Sequence, residues 1–157
     1  MSKINLRLGV ISDTHGLLRP QAVSALQGCD LIIHAGDVGN AEVINGLSDI
    51  APTFAIRGNV DKGTWAARLP PTNIVEVGAH MFYVLHNIAE LDLDPLTAGF
   101  TAVVFGHSHR PSIETRDGVL YLNPGAAGPR RFRLPVTLAR VTVVGGQMRP
   151  EIVELDV

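Results

Sequence analysis

Residues 101–109 read TAVVFGHSH and join a short apolar run to a polar loop. The run over 101–104 is rich in β-branched residues, which predicts a buried strand that Gly106 ends. His107 and His109 then stand two positions apart, and in an extended loop such side chains point to the same side of the backbone. This spacing is typical of metal ligands, whereas two unrelated surface histidines would be the simpler interpretation if the pattern occurred only here.

The same pattern, an apolar run followed by polar side chains, occurs at other places along the chain. Further strands are predicted over residues 6–12, 31–35, 53–56, 74–77 and 81–85. The candidate ligands at strand ends are Asp13, His15, Asp37, Asn59, His86, His107 and His109. Because ligand sites in open α/β sheets lie outside the carboxyl ends of the strands, we expect these loops to converge.

Short helices and antiparallel hairpins are predicted between and after these strands. Helices are predicted over residues 20–26, 41–47 and 94–99. Antiparallel hairpins are predicted with turns at residues 78–79, 117–118 and 145–146, the last within a closing pair of strands over 136–144 and 147–155. No repeat or linker divides the 157 residues, so we expect one domain, 1–157, of the α/β class with mixed sheets.

Composition and charge narrow the possible classes of protein. Charged residues make up 18% of the chain and the formal net charge is -2, so no basic excess indicates a nucleic-acid or anionic membrane surface. Cys29 is the single cysteine, and burial as a small apolar residue is favoured over a role as nucleophile. No apolar run is long enough to cross a bilayer, and the first eight residues lack the apolar core of a signal peptide. We therefore expect a cytoplasmic protein.

The candidate ligands favour a centre of two metal ions. Seven oxygen and nitrogen ligands are too many for one tetrahedral ion, and a mixture of carboxylate, imidazole and amide without thiolate suits Mn, Fe, Zn or Ni. Two adjacent cations can stabilise both the attacking and the leaving oxygen of a phosphoryl transfer. The pattern therefore indicates hydrolysis of a phosphate ester.

At this point the chain resembles the calcineurin-like metallophosphoesterases, and in particular their small bacterial and archaeal phosphodiesterase branch. The motifs follow the order of that family across nearly the whole chain. They are Asp13 with His15, Gly36 with Asp37, Gly58 with Asn59 and Asp61, His86, Gly106-His107-Ser108-His109 and Asn123-Pro124-Gly125. The resemblance implies a layered β-sandwich flanked by helices, with the site at the carboxyl ends of strands.

The resemblance also implies two metal sites that share one ligand. One metal would be held by Asp13, His15, Asp37 and His109, and the other by Asp37, Asn59, His86 and His107, with Asp37 as the bridge. The expected catalytic residues are Asp37, Asn59 and His86, acting through the metals, and a metal-activated hydroxide would replace a side-chain nucleophile. Mn²⁺ is the expected cation, and Ni²⁺, Fe²⁺ or Zn²⁺ are alternatives that this ligand set accepts.

Two positions depart from the family pattern. Many members place a histidine directly after the motif Asn and use it to protonate the leaving group, but here that position is Val60. Loss of general-acid help typically costs about 10²- to 10⁴-fold, so turnover is expected to be slow and to depend on the acidity of the leaving group. The second departure is Asn87 after His86, where members often have glycine.

The leading hypothesis is a phosphodiesterase acting on a small or nucleotide-like phosphate diester. A phosphomonoesterase of the same fold is disfavoured by Val60, because alkoxide leaving groups most need the missing acid. A third interpretation is a non-catalytic scaffold like the retromer subunit of this fold, which lacks the full ligand set that is present here. Self-association stays open, since Phe132 beside the arginines and the two closing strands could form an interface between copies.

A few polar residues have open roles. His34 lies inside an apolar strand, and a position in the core or behind the metal ligands is favoured over direct ligation. Asp61 could orient a neighbouring ligand or could be an ordinary loop residue. Arg130, Arg131 and Arg133 form a basic cluster for which solvated loop charge is favoured, although this loop could approach an anionic substrate.

Overall fold

The computed structural model describes residues 5–157. Its strands are β1 Asn5–Ile11, β2 Leu31–His34, β3 Thr53–Ala55, β4 Thr72–Val77, β5 His80–Leu85, β6 Ala102–Val104, β7 Ser112–Arg116, β8 Val119–Asn123, β9 Thr137–Val144 and β10 Gln147–Glu154. Its α-helices are α1 Pro20–Ala25, α2 Ala41–Ser48 and α3 Pro95–Ala98, and two 3₁₀ helices cover Ala66–Arg68 and Ile88–Glu90. No helix within residues 5–157 is long and apolar enough to span a membrane.

The strands form two mixed sheets of five strands each. The first has the order β10-β9-β1-β2-β3. Strands β1, β2 and β3 are parallel to one another, β9 is antiparallel to β1, and β10 is antiparallel to β9. The second has the order β4-β5-β6-β8-β7, in which β5, β6 and β8 are parallel and an antiparallel strand flanks them on each side. This architecture confirms the predicted α/β class with mixed sheets.

The main apolar core lies between the two sheets. Leu8, Val10 and Ile33 of the first sheet belong to the same cluster as Phe82 and Val104 of the second, and all five side chains are fully buried. Burial of this apolar surface between layers is the main force that holds two sheets together. The packing confirms the layered β-sandwich that the family resemblance implied.

Helices α1 and α2 pack on the other face of the first sheet. Ile11 and Ile32 from β1 and β2 join a second buried cluster with Ala22 of α1 and Val43 of α2. Asn40 directly precedes helix α2. Its side-chain oxygen accepts a hydrogen bond from the Val43 N–H at 3.2 Å and so caps the helix. Because both faces of these strands are covered there, residues 8–11 of β1 and 31–33 of β2 are continuously apolar in sequence.

The predicted hairpins are present, with small differences at their edges. Strand β4 begins at Thr72, two residues before the predicted start, because Thr72 pairs with Leu85 at the far end of β5. His80 belongs to β5, and its ring nitrogens contact Thr101 Oγ1 at 2.9 Å and the Gly146 carbonyl oxygen at 2.6 Å. The two 3₁₀ helices were not predicted, since three residues are too few to show a helical period.

Candidate metal centre

The polar loops that follow strands of both sheets converge. The Asp13 N–H donates to the Gly36 carbonyl oxygen at 3.0 Å, which joins the loops after β1 and β2. The Gly106 N–H donates to the His86 carbonyl oxygen at 2.9 Å, which joins the loops after β5 and β6. The His107 N–H donates to Asp13 Oδ2 at 3.1 Å and connects the two pairs of loops. The strand ends therefore meet where the sequence pattern predicted.

Two carboxylates stand among three histidines at the centre of these loops. Asp13 Oδ1 lies 3.4 Å from His109 Nε2, 3.8 Å from His86 Nε2 and 3.9 Å from His15 Nε2. Asp37 Oδ2 lies 3.2 Å from His86 Nε2 and 3.7 Å from His15 Nε2. Asp13, Asp37, His86 and His109 are buried, whereas the His15 side chain is 30% exposed. The geometry groups five of the seven candidate ligands within a few ångströms.

Each carboxylate is held by one oxygen and presents the other to the centre. Asp13 Oδ2 accepts hydrogen bonds from Ser12 Oγ at 2.8 Å and from the His107 N–H at 3.1 Å. Asp37 Oδ1 accepts one from the Val60 N–H at 3.1 Å. A Cβ atom on Gly58 would overlap the Asp37 carboxylate, so glycine is required where these loops meet. The backbone thus aims the second oxygen of each carboxylate at the histidines.

The protonation of His86 suits metal ligation. His86 Nδ1 lies 2.8 Å from the Ala35 carbonyl oxygen, which only accepts hydrogen bonds, so Nδ1 carries the proton and Nε2 faces the centre. Burial opposes the charged form, but the nearby Asp37 carboxylate raises the pKa of His86 above its usual value. Burial would likewise raise the pKa of Asp37, and the contacts with His86 and the Val60 N–H bring that pKa below its usual value. Both shifts favour the charged forms when no cation is bound, whereas ligation of a cation requires His86 Nε2 to be free of a proton.

Asn59 and His107 lie on the His86 side of the centre. Both line a cavity of about 530 Å³, together with His86 and Asn87. The His107 ring stands edge-on to the His86 ring, with 5.3 Å between centroids. On the opposite side, the His109 ring lies 5.4 Å from the His15 ring. Two histidines separated by one residue thus reach different parts of the centre.

The expectation that His107 and His109 stand on an extended loop is wrong. Their φ angles are 72° and 64°, in the left-handed region, and the Ser108 N–H donates to the Gly106 carbonyl oxygen at 2.8 Å within a tight turn. Buried Asn123 supports this turn, since its Nδ2 donates to the Gly106 carbonyl oxygen at 3.1 Å and to Ser108 Oγ at 3.2 Å. The turn, rather than strand-like alternation, directs the two rings toward different partners.

Left-handed backbone occurs at five of the seven candidate ligands. The φ angles are 54° at Asp13, 47° at His15 and 54° at Asp37, in addition to the two histidines of the turn. Asp and His enter this region more readily than most residues, but it still strains any residue that has a Cβ atom. Such strain persists where the surrounding structure enforces it, and it occurs often at functional sites.

The donor set fits metal ions. Four buried atoms of the centre have no hydrogen-bond partner, and they are Asp13 Oδ1, His15 Nε2, His86 Nε2 and His109 Nδ1. Two groups have ligand atoms within 4.8 Å of one another, namely Asp13 with His15 and His109, and Asp13 with Asp37 and His86. Unpaired buried acceptors are costly unless a cation or donor satisfies them. Carboxylate oxygen and imidazole nitrogen are ligands that first-row divalent metals accept.

Asp61, whose role was open, holds the ligand loops together. Its buried carboxylate accepts hydrogen bonds from the N–H groups of Val38 at 3.0 Å, Gly39 at 2.9 Å and Gly58 at 2.9 Å. These donors lie on the loops that carry Asp37 and Asn59. Asp61 therefore acts through other residues, and the motif spacing offered no sign of which N–H groups it would meet.

Asn87 does not disturb the turn that follows His86. Its φ is -113°, which any residue adopts, so glycine is not required here. The Asn87 side chain accepts a hydrogen bond from the Ala89 N–H at 3.0 Å and caps the 3₁₀ helix Ile88–Glu90. This departure from the family pattern is therefore accommodated locally.

His34 supports the ligand loops as a neutral ring. The Gly36 N–H donates to Nδ1 at 3.1 Å, so Nε2 carries the proton and donates to Thr14 Oγ1 at 3.0 Å, which in turn donates to the Val38 carbonyl oxygen at 2.8 Å. The side chain is fully buried, and burial is the main cause that lowers the pKa of His34 from 6.5 to about 4. The expected position behind the ligands agrees with these contacts.

Acid is expected to destabilise the metal-free protein through His34. The unfolded chain takes up a proton at His34 below pH 6.5, whereas the folded protein resists it until about pH 4, so stability falls as the pH drops through this interval. The loss from this group is roughly 2.5 kcal/mol at pH 4.5 relative to neutral pH. Urea unfolding at pH 7.5 and 4.5 should show a smaller acid loss for His34→Asn, whose Oδ1 can replace Nδ1 as acceptor. Equal losses in the two proteins would contradict the prediction.

The fold and the candidate metal centre fit one class of protein, the metal-dependent phosphoesterases. The chain belongs to the calcineurin-like phosphoesterase superfamily, whose domain profile matches residues 6–146. A probable metallophosphoesterase of Methanocaldococcus jannaschii is 35% identical over 162 residues, covering 95% of this chain and 81% of that protein. A phosphodiesterase of the same organism is 27% identical over 139 residues, covering 76% of this chain and 83% of that protein.

A solved structure supports the fold independently of sequence identity. Vacuolar Protein Sorting 29 from Cryptosporidium parvum superposes with a TM-score of 0.80 at 16% identity, covering 99% of this chain and 100% of that chain. An identity this low supports the shared fold only. The family and the fold that the motifs indicated are confirmed.

Proposed function

We propose that this protein is a phosphodiesterase that hydrolyses a small or nucleotide-like phosphate diester with two divalent cations, Mn²⁺ foremost. The proposed ligands are those of the two overlapping sets, Asp13, His15, Asp37, Asn59, His86, His107 and His109. The observation that carries the proposal is the set of four buried atoms without hydrogen-bond partners, which belong to residues gathered at the centre. The chemistry that divalent cations supply when bound is Lewis-acid activation of water and of the phosphate group.

The protein's own residues would position this chemistry. Asp37 Oδ2 lies near His15 and His86, which belong to different proposed metal sites, as a shared ligand would. Asp13 Oδ1 also lies near both rings, so the assignment of the bridge to Asp37 rests on the family resemblance. The hydrogen bond from His86 Nδ1 to the Ala35 carbonyl oxygen fixes the ring orientation. These contacts support proposed catalytic roles of Asp37 and His86 through the metals rather than as nucleophiles. Asn59, the third proposed catalytic residue, lines the cavity beside His86.

Two features favour a diester as the substrate. A cavity of about 530 Å³ opens beside His86 and His107, and a second of about 270 Å³ opens beside His15 and His109. A diester has two ester arms, and each arm would have its own cavity. Val60 is 46% exposed next to Asp37, and its side chain has no proton to donate to a leaving group. This disfavours monoesters with poor leaving groups.

The alternatives have less support. The similarity to Vacuolar Protein Sorting 29 keeps a non-catalytic scaffold in consideration, but all seven ligand positions of the family pattern are filled here. A phosphomonoesterase could use the same metal centre, but its substrate has a single ester arm and would leave the second cavity empty. A cytoplasmic location is part of the proposal, supported by the single Cys29, which forms no disulfide framework.

The test is hydrolysis of bis(p-nitrophenyl) phosphate and of p-nitrophenyl phosphate by metal-stripped protein, before and after addition of Mn²⁺. We expect diester cleavage only with metal and at a rate about tenfold or more above that of the monoester, because the second ester arm has a cavity of its own beside this centre. Faster cleavage of the monoester than of the diester would contradict the proposal and indicate a phosphomonoesterase. Absence of cleavage with Mn²⁺, Ni²⁺, Zn²⁺ or Fe²⁺ would favour the scaffold.

A further inference from the structure

A basic and aromatic segment lies beside one half of the candidate metal centre. We name residues 128–134, with the sequence GPRRFRL, the arginine loop. Arg130 and Arg131 line the cavity of about 270 Å³ together with His15, His109 and Pro129. The loop therefore borders the space that one arm of a bound diester would occupy.

The arginine loop is fixed to the loop that carries Asp13 and His15. Gly128 lies so close to the Thr14 backbone that a Cβ atom on Gly128 would overlap the Thr14 carbonyl group. The Arg19 Nε–H donates to the Gly128 carbonyl oxygen at 3.1 Å, and the Ala127 N–H donates to the Ser12 carbonyl oxygen at 3.1 Å. Because Ser12 and Thr14 are adjacent in sequence to the proposed ligands Asp13 and His15, these contacts fix the start of the arginine loop beside the centre.

Among residues 5–157, the charges of the arginine loop have no carboxylate partner. Arg130, Arg131 and Arg133 are exposed, and within residues 5–157 none of them forms an ion pair with a carboxylate. Arg130 Nη1 donates only to the Leu134 carbonyl oxygen, at 3.3 Å. Guanidinium groups near a cavity that have no carboxylate partner suit a phosphate group.

The larger cavity on the other side of the centre has more carboxylates than guanidinium groups in its lining. Its lining contains Glu90 and Asp92 alongside Arg57. An additional negative charge on the substrate would therefore be favoured beside Arg130 and Arg131 and disfavoured in the larger cavity. The two arms of a diester would thus be distinguished by charge.

Phe132 adds an aromatic surface between two of these arginines. Its side chain is 86% exposed, and its φ of 53° is unusual for a bulky residue. The Arg131 guanidinium carbon lies 6.0 Å from the centre of the ring. An exposed ring held beside guanidinium groups is suited to stacking on a nucleobase whose phosphates bind the arginines.

We propose that the arginine loop recognises a second phosphate group of the substrate, distinct from the reacting diester, and that Phe132 stacks on the adjoining base. The substrate class is a nucleotidyl diester that carries a further phosphate on the nucleoside arm. This inference rests on the proposed phosphodiesterase function and extends it to the identity of that arm. The basic cluster then has a role in specificity beyond solvated charge.

The test compares two probes that differ by one phosphate. Thymidine 5′-(p-nitrophenyl phosphate) and its 3′-phosphorylated form have the same leaving group, and in both cases water attacks the diester phosphorus and p-nitrophenolate departs. We expect kcat/KM to be roughly tenfold higher for the 3′-phosphorylated probe, mainly through a lower KM, because the second phosphate binds equally in the ground and transition states. In Arg130→Ala/Arg131→Ala the ratio of the two kcat/KM values should fall to about one.

Matched variants distinguish loss of binding to the second phosphate from a nonspecific effect of the substitutions on the protein. Arg149→Ala removes an exposed arginine of β10, away from both cavities, and should keep the wild-type ratio. Phe132→Ala should raise KM for both thymidine probes and leave their ratio unchanged, since the base is common to them. A wild-type ratio near one, or a high ratio that persists in the double variant, would overturn the inference while diester hydrolysis stands. Failure of every diester to react would instead overturn the proposed function.

Discussion

Asp37→Asn is expected to lower metal-dependent hydrolysis of bis(p-nitrophenyl) phosphate by roughly 10³-fold, about 4 kcal/mol of transition-state stabilisation. Asn keeps an Oδ1 that can accept the Val60 N–H, so the loop should hold its shape. The second oxygen, 3.2 Å from His86 Nε2 and 3.7 Å from His15 Nε2, becomes an amide nitrogen that does not ligate a cation. Steady-state kinetics at saturating Mn²⁺, with metal content per chain, would measure the loss.

Asp117→Asn is the matched control for this substitution. Asp117 is exposed in the β7–β8 hairpin and has a φ of 51°, close to the 54° of Asp37, so the control repeats the chemical change in the same backbone conformation. We expect wild-type rates and metal content for the control. An Asp37→Asn variant that retains both the bound metal and more than a tenth of the activity would contradict the role of Asp37 as shared ligand.

Asp61→Ala is expected to destabilise the metal-free protein by roughly 3–5 kcal/mol. The substitution leaves the N–H groups of Val38, Gly39 and Gly58 without their carboxylate acceptor, at a site that is only 5% exposed. Each buried donor that loses its partner costs about 1–3 kcal/mol, and the three costs overlap because the loops relax together. Urea unfolding in the presence of a chelator measures the change without a contribution from metal binding.

Two further variants make the Asp61 prediction specific. Asp61→Asn retains one oxygen acceptor and should lie between the wild type and Asp61→Ala, whereas Asp156→Ala removes an exposed carboxylate and should unfold like the wild type. Because Asp61 positions the loops of Asp37 and Asn59, Mn²⁺ affinity should also weaken by roughly 10- to 100-fold in Asp61→Asn. Unchanged stability and unchanged affinity in Asp61→Ala would refute this positioning role.

The parts of the fold that depend on local pattern were predictable from the sequence. Residues 8–11 of β1 and 31–33 of β2 are short apolar runs because both faces of the sheet are covered there, and the hairpin turn at residues 117–118 has the Asp-Gly pair that such turns favour. The convergence of the loops after β1 and β2 follows from parallel pairing. Which metals occupy the candidate centre, and how many, remains a prediction.

Features that depend on contacts between distant parts of the chain were not predictable. Pairing of β1 with β9 joins residues that are more than a hundred positions apart in sequence, and no local signal encodes that register. The left-handed turn at His107 and His109 was mistaken for an extended loop, because alternation is the default for a loop that continues a strand. Its conformation depends on support from Asn123, which follows in a different strand.

Five positions of the centre, Asp13, His15, Asp37, His107 and His109, combine a functional side chain with positive φ, where glycine avoids the clash of a Cβ atom. An engineer who chose stabilising substitutions from backbone conformation alone would select glycine at these five sites and would remove the proposed ligands one after another. Library designs for thermal stability should therefore keep these positions constant and place their changes in the two apolar cores and the hairpin turns.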